Sequence, residues 1–180
     1  MGRLMIRNWR LPDAVLARIP PEAWQPATPS QSDDPDRWVP MIQLSHDKWL
    51  GATPDGNWAV GQGDRARRLQ EGWHVPLLPL LESPYVDWRD HLSELRDRAP
   101  EWADAIENVV QVGPLVSAAI NGEGHHWPGL AVAWLEQSAE IPRPLEALKR
   151  LAESGSRAPQ QLRHRARALL AAEPGVRDRA

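Results

Sequence analysis

The sequence contains no cysteine and no phenylalanine, one tyrosine, and two lysines (Lys48 and Lys149) against 19 arginines. Without cysteine there can be no disulfide, no thiolate nucleophile and no cysteine-based zinc site. Without phenylalanine the bulky aromatic role falls to ten tryptophans, whose indole N–H groups need acceptors once buried. Long apolar runs are missing too. The longest uncharged central stretch, Asn108–Gly122, is shorter than the roughly 18–20 residues of a membrane helix and is interrupted by Pro114. No continuous apolar segment follows Arg3, Arg7 and Arg10, which argues against a signal peptide. The expectation is a cytoplasmic protein with no membrane partner. The preference for Arg, Ala, Pro and Trp over Lys and Phe points to a GC-rich coding background, hence a bacterial source.

What is present is unevenly spread. The 180 residues suffice for one domain, with or without a small appended subdomain. The net charge of −3 divides into −1 over residues 1–62, −7 over 63–140 and +5 over 141–180. An acidic middle followed by a basic end is therefore the main electrostatic feature.

Three spans follow from the punctuation: 1–37, 38–62 and 63–180. The first forty residues hold seven prolines, and the first span is expected to form a short helix in "LPDAVLARI" with a Pro-rich linker after it. The second reads as a small antiparallel β-meander of two or three strands, "WVPMIQLS", "KWLGAT" and "NWAVG". Pro54 and Gly56 suit a tight turn that closes a bulged hairpin. If Thr53 opposes Asn57, then Ala52 opposes Trp58 and Leu50 opposes Val60 on one face. Trp49 then faces Gly61 on the other, where an aromatic ring can cover a strand glycine.

The third span is helical. Pro84, Pro100, Pro114, Pro128, Pro144, Pro159 and Pro174 stand 14 to 16 residues apart. Proline suits a first helical turn, and short connectors make successive helices antiparallel. Over residues 84–174 this punctuation resembles HEAT-like helical repeats, stacked hairpins of about 30 residues each. The resemblance rests on helix length and spacing. It implies an α-solenoid-like array, with a compact bundle as the alternative, so the fold class expected is mainly α behind a small meander.

Apolar and polar faces then separate. Trp88, Leu92, Leu95 and Ala99 form one stripe; Asp87, Asp90, Glu94 and Asp97 form another at helical spacing. The next helix places Trp102, Ile106, Val109 and Val110 inward and Glu101, Asp104 and Glu107 outward. "LVSAAI" and "LAVAWL" are apolar nearly all round and are expected to be inner helices. In the last helix Leu162, Ala166, Leu169 and Leu170 face in, and Arg163 and Arg167 share an outer face.

Several patterns suggest chemistry and fail on context. Gly61–Ala66, "GQGDRA", matches G-x-G-x-x-A, but it leaves an antiparallel hairpin, no βαβ unit follows, and "HVPLLPLLE" is a poor central strand. It reads as an exit into a helix capped by Asp64. Ser45–Asp47, "SHD", has triad residue types as sequence neighbours, whereas a triad meets in space. His91 and Glu94 reverse the Glu-x-x-His order of di-metal bundles, with their carboxylates away from the apolar stripe. His125 and His126 are adjacent and cannot share one face, so they read as a connector ahead of Pro128 rather than a metal site. Ten tryptophans have the chemistry of a sugar or base platform, but Trp88, Trp102 and Trp134 occupy core positions. Trp24, Trp38 and Trp73 lie in segments without a clear period.

No catalytic residue, metal ligand or cofactor site is therefore assigned. The expected activity is non-catalytic binding of a basic protein partner by Asp87, Asp90, Glu94, Asp97, Glu101 and Asp104. A bacterial immunity or antitoxin-type inhibitor fits that description. The alternative is nucleic-acid binding through Arg163, His164, Arg165 and Arg167, against which the acidic middle would act.

Overall fold

The computed structural model describes residues 9–153 and 156–172. They form two compact units. The first runs to Leu80 and takes in Trp88–Gln111; the second comprises Leu81–Asp87 and the chain from Val112.

In the first unit a helical turn, α1 (Asp13–Leu16), starts behind Pro12, as the proline-led segment suggests. Five strands follow in one antiparallel sheet, ordered as in the sequence: β1 (Gln25–Pro26), β2 (Arg37–Gln43), β3 (Trp49–Ala52), β4 (Trp58–Gln62) and β5 (Arg65–Arg68). The β3–β4 register is the expected one, with Ala52 opposite Trp58, Leu50 opposite Val60 and Trp49 opposite Gly61. Gly56 takes the left-handed conformation at φ 80°. At the same turn Asp55 accepts hydrogen bonds from Thr53 Oγ1, from Arg68 Nη1 at 2.7 Å and from Asn57 Nδ2 at 2.8 Å. Partial burial opposes its ionisation, but those three bonds and the Arg68 charge outweigh it and lower its pKa to about 2.

The mainly helical expectation is corrected here to a mixed architecture, an antiparallel sheet with helices after it. Two of the five strands, β1 and β5, were not expected. β5 replaces the helix supposed to start at Asp64: Gly63 (φ 59°) and Asp64 form a two-residue turn, and Gln62 pairs with Arg65. A Gly-Asp turn followed by the alternation Arg65, Ala66, Arg67 is a hairpin signature. The G-x-G-x-x-A match is thus a β-hairpin with no helix behind it, and cannot present a helix N-terminus to a pyrophosphate. The sheet curls so that the β1–β2 loop reaches the β4–β5 hairpin. Thr28 N–H donates to the Asp64 carbonyl at 2.6 Å, and Arg68 Nε donates to the Asp33 carbonyl at 3.0 Å.

Trp38, 1% exposed, lies across the inside of one face. A Cβ on Gly51 would stand 2.9 Å from its ring, and one on Gly61 2.6 Å. The tryptophan covering the strand glycines is therefore Trp38 of β2, with Trp49 packed beside it. Ala59 and Ala66 complete this small-residue bed. The opposite face buries Val39, Ile42, Leu50, Ala52 and Trp58.

After a 3-10 segment at Val75–Glu82 come α2 (Tyr85–Arg98), α3 (Pro100–Val110), α4 (Val112–Ile120), α5 (His126–Gln137), α6 (Leu145–Ala152) and α7 (Gln160–Ala171). Each has its proline just ahead of the helix or within the first three residues, as the spacing predicts; Pro174 lies outside the described residues. Trp88 and Leu92 of α2 are buried, as are Ile106, Val109 and Val110 of α3. Trp102 is only half-buried. The chain leaves α3 through Gln111, a left-handed residue at φ 43°. In the second unit α4 packs on α5 and α6 on α7, while α4 also meets α6 and α5 meets α7. Among the described residues no helix is long and apolar enough to cross a membrane.

One buried group makes the first unit sensitive to acid. His74 is 8% exposed, with Nδ1 3.0 Å from the Gly72 carbonyl and its ring edge-on to Trp9. Burial pushes its pKa below the ordinary value of 6.5. Below that value the unfolded chain binds a proton that the folded chain refuses, so stability is full at neutral pH and falls with acidification. The urea midpoint is expected to be lower at pH 5 than at pH 7, and His74→Leu should flatten that dependence. An unchanged slope in the variant would place the pH sensitivity elsewhere.

Candidate functional site

The outer faces of α2 and α3 carry the acidic cluster. Between Asp87 and Glu107 stand seven carboxylates against three arginines. Asp90, Glu94, Asp97 and Asp104 are exposed, and Glu101 is half-buried. The structure brings these faces together in the first unit through Arg96 of α2, whose Nη2 lies 2.7 Å from Glu107 Oε2 and 3.7 Å from Asp104 Oδ1, both on α3. Asp87 belongs to the second unit, so the clustered set in the first is Asp90, Glu94, Asp97, Glu101 and Asp104.

Arginines already answer part of this charge. Glu94 pairs with Arg98 at 3.6 Å, one turn along α2, and Glu101 pairs with Arg18. None of these pairs is part of the sequence reading: the i, i+4 spacing of Glu94 and Arg98 is a local signal for the first, whereas Arg18–Glu101 and the Arg96 bridge form only in the folded unit. Glu94 and Arg98 are 70% and 71% exposed, a setting in which an ion pair contributes roughly 0–1 kcal/mol.

The basic residues of α7 have a different setting. Arg163 Nη1 donates to the Ala158 carbonyl at 2.8 Å and reaches the Ser156 carbonyl at 3.5 Å, clamping the turn ahead of its own helix. Arg165 makes a two-pronged pair with Glu136 of α5, Nε to Oε1 at 2.9 Å and Nη2 to Oε2 at 2.7 Å. Those hydrogen bonds hold the Arg165 guanidinium more firmly charged. His164 and Arg167 are exposed. Two of the four residues considered for nucleic acid thus hold the second unit together.

The remaining candidates fall in separate places. Ser45–Asp47 forms the β2–β3 turn, where Gln62 Nε2 donates to Asp47 Oδ2. His91 and Glu94 are both exposed on α2. His125 precedes α5 and makes no capping bond through its side chain; His126 is the first residue of α5, 3.8 Å from Glu82 and edge-on to Trp127. Among the described residues no group of three or more His, Asp or Glu side chains gathers as a metal cage would require. Trp73 is half-buried beneath Arg67, whose guanidinium sits 4.8 Å from the ring centre.

No protein-family model matches the chain, and neither a curated protein nor a solved structure does.

Proposed function

We propose that the chain is a non-catalytic binding module that engages a basic protein partner through the acidic faces of α2 and α3. The observation that carries this reading is the concentration of exposed carboxylates there, beside arginine pairs too solvated to compete strongly with a partner. The arginines of α7 have internal duties, which favours the acidic face over nucleic acid as the partner-facing surface. Within this class, an immunity or antitoxin-type inhibitor of a basic effector fits the charge. The helices of the second unit fit a short HEAT-like stack, since α4 meets α6 and α5 meets α7, as equivalent helices of successive hairpins do.

The test is charge reversal in the full chain. Asp90→Lys, Glu94→Lys and Asp97→Lys together are expected to weaken capture of a basic partner from source cells at least tenfold, with the circular dichroism unchanged. Raising the salt should weaken the wild-type complex in the same direction. Equal capture by wild type and triple variant overturns the proposal. A steep salt-dependent affinity for duplex DNA or RNA would transfer the function to α7.

A further inference from the structure

The second unit contains a cleft of about 660 Å³, lying between the α4–α5 connector and Ser156–Ala158 ahead of α7. Its size is that of a small-molecule site. The floor is apolar and buried: Ile120, Pro128, Leu151 and Ala158. The rim is polar, and its charge is lopsided, with Arg150 and Arg157 against Glu123.

The two arginines are presented differently. Arg150 Nη2 donates to Asn121 Oδ1 at 2.7 Å, which directs its guanidinium toward the α4–α5 connector while leaving other N–H groups to serve a ligand. Arg157 has no hydrogen-bond or ion-pair partner among the described residues. Its chain neighbours are nevertheless fixed: Arg163 holds the carbonyls of Ser156 and Ala158, and Ser156 Oγ donates to the Leu151 carbonyl at 3.0 Å. A guanidinium with no partner among the described residues thus stands at the rim of an apolar cleft, beside backbone that Arg163 holds. His125, just ahead of α5, and Pro128, in its first turn, complete the lining on that side.

We propose that this cleft binds a small organic anion, an apolar body in the floor and a carboxylate or phosphate head between Arg150 and Arg157. An arginine fork pairs with either head in two-point geometry, so both share one recognition chemistry. The site is separate from the acidic face, and either proposal can fail alone.

The probes are the fluorescent sulfonate 8-anilinonaphthalene-1-sulfonate and octanoate, added to the full chain at pH 7. The expected result is saturable binding of one dye per chain, displaced by octanoate and at least tenfold less by neutral octanamide. Arg157→Glu should weaken dye binding at least tenfold and Arg157→Gln by a smaller factor, with unchanged circular dichroism. Lys149→Glu makes the same charge change outside the cleft and should leave binding within twofold. The proposal is overturned if neither probe binds saturably, if Arg157→Glu binds as wild type does, or if Lys149→Glu weakens binding equally.

Discussion

Gly51→Ala is expected to abolish the native sheet, although it adds a single methyl group. A Cβ at Gly51 would stand 2.1 Å from the Val39 carbonyl oxygen and 2.9 Å from the Trp38 ring. The first obstacle is backbone. That oxygen belongs to the strand with which β3 is paired, and moving it opens the β2–β3 ladder around Pro40 and Gly51. The second is a fully buried indole with Gly61 beneath its other end, so it cannot retreat along the sheet. Overpacking usually costs about 1–3 kcal/mol, and a rigid obstruction pushes the cost to that limit or past it. Against a total stability of roughly 5–15 kcal/mol, that is a large share. Thermal unfolding followed by tryptophan fluorescence should move down by at least about 10 °C, or no cooperative transition should remain. Gly129→Ala is the matched control: nothing lies within 4 Å of its Cβ inside α5, and it should stabilise by about 0.5–1 kcal/mol. A Gly51→Ala protein that melts with the wild type would mean that the β2–β3 pairing is looser than described.

Trp134→Ala should be the corresponding break in the second unit. Trp134 is 1% exposed, its Nε1 donates to the Ser83 carbonyl at 2.8 Å, and its ring leans on Tyr85 with centres 5.1 Å apart. Tyr85 is held in turn by Gln137, whose Oε1 accepts its backbone N–H at 2.8 Å. Removing the indole leaves a cavity that this anchored surrounding cannot fill, at a cost of about 3–5 kcal/mol. Trp134→Phe separates packing from hydrogen bonding. It keeps much of the buried ring, and the Ser83 carbonyl, on an exposed residue, can turn to water. The expected urea midpoints therefore run wild type, then Phe, then Ala, with the larger gap before Ala. Equal losses for Phe and Ala would make the hydrogen bond, not the ring, the anchor.

What the sequence reveals follows the range of the interaction. The β3–β4 register depends on one turn, Pro54 to Gly56, and is legible to the residue. The helix starts depend on proline, which acts on its own backbone. β5 is legible in principle, because Gly63-Asp64 and the Arg-Ala-Arg alternation mark a hairpin, but Asp64 is equally a helix-capping residue type, and only pairing with β4 decides between the two. β1 is only two residues long and gains its strand character from pairing with β2, so no local period announces it. Buried tryptophans were expected to need acceptors; Trp134 finds one at Ser83, whereas Trp38 Nε1 has none among the described residues. The acidic stripe on α2 could be drawn from spacing, but Arg96 joining it to α3 could not. Equally, Gly122–His126 could be read as a connector, while the approach of Arg150 and Arg157 to it required the folded second unit.

The seam of the curled sheet also bears on how the first unit reaches its native state. Thr28 and Asp64 are joined directly, yet all of β2, β3 and β4 lies between them in the chain. The β3–β4 and β4–β5 hairpins can form from near neighbours, whereas the seam must wait for a long loop to close, the kind of contact that slows folding. Throughout, β5 is the last strand of the sheet, and its outer side is a template open to a strand from another chain. Arg65, Arg67 and Arg68 occupy that edge in three of its four positions. Their mutual repulsion between chains guards against aggregation, before the seam closes and after.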